Sequence, residues 1–171
     1  EHNPAVIDFF GSFDTKSHLT IIIFLLIGTL ITCIVQSSAA VMAITILLCS
    51  TGVLPIYLGI ALVMGENIGT TATANLAALG ANAQARRAAL AHLVFNVFGV
   101  IWVLCLFYPF VDFVCSIVGY DPNGGMSAVQ KVKLLPIVLA MFHTCFNVCN
   151  TGVLIWFIPQ LEKVVCKLIK P

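Results

Sequence analysis

The sequence predicts an all-α integral membrane protein. Of its 171 residues, 60% are hydrophobic and only 9% are charged, and the mean hydropathy is +1.07. Soluble domains carry roughly 25% charged residues. The apolar residues also form long uncharged blocks, the first of which extends from His18 to Gly65. Lipid offers the backbone no hydrogen-bond partners, so blocks of this length are expected to cross the membrane as helices.

The balance of charge argues against nucleic-acid binding, and we expect none. The formal net charge is +1, and the longest basic cluster is Arg86-Arg87. The seven cysteines lie mostly in apolar segments, where thiols pack as small hydrophobic groups, so we expect them to be reduced. The chain starts at Glu1 without a signal-peptide pattern, and we expect it to be part of a longer protein.

The first elements are an interfacial segment and a helical hairpin. Residues 1–18 contain three phenylalanines and are expected to lie flat in the membrane interface. The uncharged block 19–54 is too long for one crossing and short for two full crossings. Its middle, residues 36–40, reads QSSAA. We therefore predict a re-entrant hairpin with its tip near residues 36–40.

The remaining elements are a broken helix, two continuous helices and a tail. The stretch GENIGTTATAN carries glycines and threonines, which predict a break within a helix over residues 55–80. Transmembrane helices are predicted over residues 88–111 and 134–159, each ended near a proline. Residues 160–171 read as an amphipathic tail. Together, residues 1–171 form a single transmembrane domain.

Basic residues give the orientation. The first group is Lys16, Lys131 and Lys133, and the second is Arg86, Arg87, Lys163, Lys167 and Lys170. A hairpin or a pair of crossings returns the chain to its starting side, so the two groups are expected on opposite sides. By the positive-inside tendency the second group is cytoplasmic. We therefore expect a multi-pass protein of the cell membrane, in particular a bacterial inner membrane, with a cytoplasmic C-terminus.

The polar residues of QSSAA are candidates for an anion site. A hairpin tip exposes free backbone N–H groups where the returning helix begins, and Gln36, Ser37 and Ser38 add side-chain donors. Alternatively, these side chains bond a neighbouring helix, as isolated polar residues in membrane bundles commonly do.

The second polar stretch is a candidate cation site. It contains the oxygen-bearing side chains of Asn67, Thr70, Thr71, Thr73 and Asn75. Unwound backbone between Gly65 and Gly69 would turn carbonyl oxygens toward a cavity, and such oxygen ligands suit sodium. Alternatively, the two glycines form a packing face and the threonines bond their own helix.

Other polar residues leave more than one interpretation open. Glu66 is an intramembrane carboxyl, which is a functional candidate or a group that reaches water. The motif His-x-x-Phe-Asn occurs twice, as HLVFN from His92 to Asn96 and as HTCFN from His143 to Asn147. For the second copy we expect hydrogen bonds between the last two spans. The serines have no evident base beside them, so we expect no enzymatic activity.

Three segments in order, QSSAA, GENIGTTATANLAALG and RRAALAHLVFNVFGVIW, resemble the sodium/phosphate cotransporter family, meaning the type II sodium-dependent phosphate transporters and their bacterial relatives. In that family Gln-Ser-Ser-Ser and Gly-Ala/Ser-Asn-Ile-Gly-Thr-Thr each occur twice, once per inverted repeat. The resemblance covers roughly residues 20–110 and is greatest to the second repeat. It implies that this chain is half of an inverted-repeat transporter, completed by the other repeat or by a second copy.

The resemblance also implies roles for individual residues. Phosphate would bind Gln36, Ser37, Ser38, Asn67, Thr70 and Thr71. Sodium, the coupling ion, would bind Gln36, Ser38, Asn67, Thr70 and Thr73, and no other cofactor is implied. Candidate modulators are Glu66, Asn75, His92 and Asn96. Two positions depart from the family pattern, since Ala39 replaces the third serine and Glu66 replaces a small residue.

The function expected from these features is sodium-coupled symport of inorganic phosphate by alternating access across the lipid bilayer. Helix ends supply about 0.3–2 kcal/mol, whereas burying an ion costs of order 20 kcal/mol in the ideal limit, so countercharge must arrive with the anion. The alternatives are a phosphate-responsive membrane module that binds without transporting and a purely structural helical bundle.

Overall fold

The structure, a computed structural model, describes residues 4–122 and 124–170, and every regular element in these ranges is helical. The helices are α1 (Pro4–Gly11), α2 (His18–Val35), α3 (Ser38–Ser50), α4 (Ile56–Ala77), α5 (Ala83–Cys105), α6 (Phe107–Val118), α7 (Ala128–Leu154) and α8 (Ile158–Leu168). Short 3-10 turns, Ala78–Gly80 and Ile155–Phe157, follow α4 and α7.

The predicted fold class is confirmed. Within the described ranges, three helical segments are long and apolar enough to cross a membrane: His18–Val35, Ala83–Cys105 and Ala128–Leu168. The last of these comprises α7, its 3-10 turn and α8. The chain is therefore an all-α integral membrane protein.

The N-terminal segment packs against α2 through aromatic rings. The rings of Phe10 and Phe13 have centroids 6.1 and 5.1 Å from that of Phe24, whereas Phe9 remains 57% exposed. The first three residues of the predicted interfacial segment lie outside the described residues. Its position in the membrane interface stays a prediction.

Helices α2 and α3 are joined by a turn of two residues. Gln36 adopts the left-handed conformation (φ 56°, ψ 24°), and its N–H donates to Thr32 O at 2.8 Å. Ser37 is extended and begins α3. With 18 residues, α2 has the length of a crossing, but the 13 residues of α3 span only about 20 Å. The turn lies within the range predicted for the hairpin tip.

Helix α4 is continuous, which corrects the prediction of a broken helix over residues 55–80. It extends through the GENIGTTATAN stretch for 22 residues. The threonine hydroxyls bond carbonyls of their own helix; Thr70, for example, donates to Glu66 O at 2.9 Å. The glycines serve close packing rather than unwinding.

Glycines let α2 and α4 approach closely and in parallel. A Cβ on Gly28 would clash with the backbone of Leu62, and one on Gly65 with Leu25 O. Thr29 Oγ1 donates across this contact to Gly65 O at 3.1 Å. Most residues from Ile56 to Glu66 are buried, so α4 is the central helix of the bundle.

Pro109 and Pro159 lie in the first turns of two helices, whereas the sequence predicted helix ends at these positions. The helix predicted over residues 88–111 is instead α5, which begins at Ala83 and ends at Cys105, and Pro109 lies in the first turn of α6. The helix predicted over residues 134–159 corresponds to α7, and Pro159 lies in the first turn of α8. The missing N–H of proline costs nothing in a first turn, because that group has no intrahelical partner.

The two groups of basic residues lie at opposite ends of the bundle. At one end Tyr108 Oη donates to Thr15 O at 3.0 Å, and Thr15 and Lys131 border the same cavity. At the other end Arg87 Nε donates to Ile169 O at 2.9 Å and so joins α5 to the segment after α8.

Candidate functional site

A cavity of about 200 Å³ lies between the start of α3, the middle of α4 and the middle of α7. It is bordered by Ser38, Ala39, Met42, Glu66, Asn67 and His143. Residues from both predicted polar stretches therefore meet at one cavity. With His143 on α7, the residues that border it come from three helices that are separate in sequence.

The N-terminus of α3 contributes backbone donors. Ser37 Oγ accepts from the N–H of Ala40 at 3.3 Å, and Ser37 O accepts from the N–H of Val41 at 3.2 Å. The first helical amides, those of Ser38 and Ala39, have no intrahelical acceptor in any α-helix. Both residues border the cavity, so the positive end of the helix dipole faces it.

Asn67 and His143 join α4 to α7 at the cavity. His143 Nε2 and Asn67 Oδ1 are 3.1 Å apart. Asn67 Nδ2 is buried and has no hydrogen-bond partner among the described residues. A buried amide donor without a partner is costly, and its presence beside a cavity indicates a place for an acceptor.

His143 was expected to bond between the last two spans, and the structure corrects this. Its partner lies in α4, while Asn147 Nδ2 donates to His143 O within α7. Sequence reasoning therefore missed His143 as a site residue. The available signal was an ionisable residue at membrane depth, which is a functional candidate by default.

Glu66 is buried at the wall of the cavity, with 1% of its surface exposed. Its Oε1 accepts from Thr45 Oγ1 at 3.1 Å, so the carboxyl is tied to α3. Its Oε2 is buried and has no partner among the described residues. The sequence left two interpretations of Glu66 open, a functional carboxyl or a side chain that reaches out to water. The buried position contradicts the second interpretation in this conformation.

The other residues predicted for phosphate and sodium do not border the cavity. Gln36 is exposed at the turn and Ser37 caps α3. The hydroxyls of Thr71 and Thr73 donate to Ile68 O at 2.8 Å and to Thr70 O at 2.9 Å. The hydroxyl of Thr70 is bonded in the same way. All three threonines therefore hydrogen-bond within α4, as the alternative interpretation of this stretch predicted.

The remaining predicted modulators lie away from the cavity. Asn75 Nδ2 donates to Ala89 O at 2.8 Å and so joins α4 to α5. Asn96 is buried and donates to His92 O at 3.1 Å, within α5. His92 itself is exposed. None of these three borders the cavity at the start of α3.

Comparison with protein families identifies the chain. Residues 15–115 match the model of the Na⁺/Pi-cotransporter family, which is more than half of the sequence. The chain belongs to the Na⁺/Pi-cotransporter family. The matched range holds α2, α3, α4 and α5, and with them every cavity residue except His143.

Curated relatives of the Na⁺/Pi-cotransporter family agree with this assignment. The chain is 38% identical over 124 residues to "Uncharacterized protein YqeW" of Bacillus subtilis, covering 72% of this chain and 36% of the relative. It is 30% identical over 144 residues to "Putative inorganic phosphate export protein YjbB" of Escherichia coli K12, covering 84% and 24%. It is 40% identical over 89 residues to human "Sodium-dependent phosphate transport protein 2B", covering 50% and 12%.

The chain spans between about an eighth and about a third of the length of these relatives. No solved structure shows a significant match. The helices and the cavity therefore correspond to one segment of each longer relative.

Proposed function

We propose that this chain supplies half of the substrate and ion site of a sodium-coupled phosphate symporter that works by alternating access. The supporting observation is the cavity at the start of α3, where donors from three helices meet. The names of two relatives, one for sodium-dependent phosphate transport and one for phosphate export, point to the same substrate.

The donors at the cavity suit a phosphate ion. Phosphate oxygens accept hydrogen bonds, and the cavity offers the amides of Ser38 and Ala39, the hydroxyl of Ser38 and the unpartnered Nδ2 of Asn67. Charge-assisted bonds to such an anion are shorter and stronger than neutral ones. In this proposal Gln36 and Ser37 contribute from the hairpin turn, and Thr70 and Thr71 support α4.

Sodium supplies the countercharge in this proposal. Among the described residues, no Lys or Arg borders the cavity. Sodium would be held by oxygens of Gln36, Ser38, Asn67, Thr70 and Thr73. The hydrogens of Thr70 and Thr73 are used within α4, but each hydroxyl oxygen keeps a lone pair that a cation can bind. Each sodium moving inward gains roughly 2.3 kcal/mol per 100 mV of membrane potential.

Uptake of labelled phosphate tests the proposal. The complete protein that contains this chain is reconstituted in liposomes, and uptake is measured with an inward gradient of sodium or of choline. We expect uptake with sodium only. Equal uptake in choline would exclude coupling, and outward movement driven by phosphate alone would favour export. Phosphate binding in detergent without flux in liposomes would favour the alternative of a binding module without transport.

Two pairs of variants test the site. Ser38→Ala and Asn67→Ala each remove a donor at the cavity, and loss of a hydrogen bond to a charged group costs about 1.5–3 kcal/mol. We expect each to weaken phosphate binding by roughly ten- to hundredfold. The matched controls are Ser50→Ala, at the other end of α3, and Asn147→Ala, whose amide bonds its own helix. Equal effects in variants and controls would contradict the assignment.

A further inference from the structure

A further cavity, which we call the α5–α8 cavity, lies between the first turns of α5 and the amphipathic helix α8. Its volume is about 350 Å³. The residues that border it include Gln84, Arg87, Ala91, Leu161, Glu162 and Val165. None of them borders the cavity at the start of α3. The α5–α8 cavity therefore combines apolar walls with one positive and one negative side chain, away from the proposed phosphate site.

Arg87 keeps hydrogen-bond donors available at this cavity. Its Nε donates to Ile169 O at 2.9 Å, which holds the guanidinium in place. The two terminal nitrogens have no partner among the described residues. A planar guanidinium with such donors suits phosphate oxygens, because two parallel N–H groups can donate to two oxygens of one phosphate.

Glu162 supplies the opposite charge at the same cavity. Its side chain is exposed, and it makes no hydrogen bond or ion pair with any other residue that the structure describes. Arg87 and Glu162 therefore do not neutralise each other by direct contact, although both border the cavity. A ligand that carries one phosphate and one ammonium group matches this pair of charges.

An apolar cavity of about 380 Å³ shares Leu161 with the α5–α8 cavity. The other residues that border it include Val94, Phe98, Val153, Leu154 and Phe157. Val94 and Phe98 lie about 10 and about 16 Å beyond Arg87 along α5, because an α-helix rises about 1.5 Å per residue. The surface along α5 thus changes from charged to apolar in the same order as the headgroup and the acyl chains of a phospholipid.

The position of the two cavities relative to the membrane also fits a lipid. Helix α5 is long and apolar enough to cross the membrane, and Arg87 lies in its second turn. The ends of spanning helices lie at the depth of the lipid headgroups, where arginine side chains reach phosphates. The apolar cavity, further along α5, then lies at the depth of the acyl chains.

We propose that the α5–α8 cavity binds phosphatidylethanolamine, with an acyl chain in the neighbouring apolar cavity. The phosphate accepts from the terminal nitrogens of Arg87, and the ammonium group donates to the carboxylate of Glu162. Phosphatidylcholine has no ammonium hydrogen to donate, and phosphatidylglycerol brings no positive charge to Glu162. An apolar helix of a longer protein would fill the apolar cavity but would leave both charges without a partner.

Lipid titration of the complete protein that contains this chain tests the proposal. The protein is delipidated in detergent, and phosphatidylethanolamine, phosphatidylcholine and phosphatidylglycerol with identical acyl chains are added separately. Native mass spectrometry gives the fraction of protein with lipid bound. We expect phosphatidylethanolamine to bind about two- to fivefold more tightly than the others. Glycerophosphoethanolamine, which has no acyl chains, should bind far more weakly, and equal binding would overturn the proposal in favour of a free phosphoester.

Two variants separate the roles of the charges. Glu162→Gln should lower the affinity for phosphatidylethanolamine to that for phosphatidylcholine, which should itself be unchanged. Arg87→Gln should weaken the binding of all three lipids by about two- to fivefold, because each carries a phosphate. The matched control is Arg86→Gln, since this exposed neighbour borders a different cavity. It should bind phosphatidylethanolamine as the wild type does.

The remaining outcomes overturn the proposal. A wild type without preference for phosphatidylethanolamine, or a preference that survives Glu162→Gln, removes the assignment of the headgroup. Equal losses in Arg86→Gln and Arg87→Gln would show a general basic surface instead of a site. If Arg87→Gln also lowers the unfolding temperature, Glu162→Gln at its exposed position decides alone. The inference does not rest on the proposed function, so a protein that fails to transport phosphate leaves it standing.

Discussion

At the scale of single residues, the contact between Asn67 and His143 is the polar link between α4 and α7 at the cavity. The two residues are 76 positions apart. The hydrogen bond at Asn67 Oδ1 fixes the orientation of the amide, so that the unpartnered Nδ2 lies where an anion could accept its hydrogen bond. The imidazole therefore orients a donor as well as bordering the cavity.

Replacing the imidazole should weaken phosphate binding. In His143→Phe, Asn67 Oδ1 loses its partner and the amide is free to rotate away from the cavity. Loss of a hydrogen bond to a charged group costs about 1.5–3 kcal/mol, so we expect phosphate affinity to fall by roughly ten- to hundredfold. Isothermal titration of phosphate into the complete protein measures this effect. Thr144→Val, at the adjacent exposed position, is the control, and an equal loss there would show that α7 is merely perturbed.

The sequence singled out two of the residues that border the cavity, because polar residues stand out in apolar segments. Ser38 and Asn67 were predicted from their contiguous polar neighbours, and both border the cavity. Thr71 and Thr73 belong to the same stretch but bond their own helix, because a threonine hydroxyl can reach a carbonyl one turn back. Sequence alone could not separate the two fates, since they depend on which face of α4 meets α3 and α7.

At the scale of elements, the close contact between α2 and α4 depends on glycine. Gly65 faces the backbone of Leu25, and a Cβ there would clash with Leu25 O. The same contact carries the bond from Thr29 Oγ1 to Gly65 O. A backbone neighbour cannot move aside as the end of a flexible side chain can. Small residues that permit such an approach are a common basis of helix association in membranes.

Gly65→Ala should therefore destabilise the bundle. Forcing an extra carbon into a packed contact costs typically 1–3 kcal/mol, and more where backbone must shift. We expect a lower unfolding temperature in detergent, measured by circular dichroism. Gly152→Ala is the matched control, because this helical position of α7 has open space where the methyl group would lie. It should leave stability unchanged or raise it by up to about 1 kcal/mol. Equal melting of the two variants would contradict the packing role of Gly65.

Helix positions were predicted more closely than helix ends. The apolar blocks gave the number and order of the long helices, because burying apolar side chains and satisfying the backbone both require them. Pro109 and Pro159 were interpreted as helix ends but lie in the first turns of α6 and α8, since proline fits a first turn as well as it terminates a preceding helix. The continuous α4 shows that glycine permits either unwinding or close packing, and the neighbouring helix decides which.

At the scale of the whole molecule, the charges are divided between two ends. Arg87 bonds the segment after α8, and Thr15 bonds Tyr108 and shares a cavity with Lys131. Five basic residues accompany the first end and three the second in the predicted arrangement. By the positive-inside tendency, we propose that the end with Arg87 and the C-terminus is cytoplasmic.

Cysteine labelling from either side of the membrane tests this orientation. Lys131→Cys and Gln84→Cys place one thiol at each end, and both native side chains are exposed. The background replaces by serine the cysteines that are at least partly exposed: Cys33, Cys105, Cys145, Cys149 and Cys166. A membrane-impermeant maleimide added to intact cells should label Lys131→Cys only, and Gln84→Cys should react after the membrane is opened.

The same labelling has an internal control at the C-terminal end. Lys167→Cys, on the exposed surface of α8, should follow Gln84→Cys, because the bond from Arg87 Nε to Ile169 O ties α8 to the end of the bundle where α5 begins. Labelling of all three positions from outside would contradict the separation of the ends. In intact cells, labelling of Gln84→Cys and Lys167→Cys but not of Lys131→Cys would show the opposite orientation. An excess of two basic residues would then be too small to determine the orientation. In the expected orientation, the start of α3 faces the cytoplasm, because α3 begins at the turn nearer the Arg87 end and extends toward the Lys131 end.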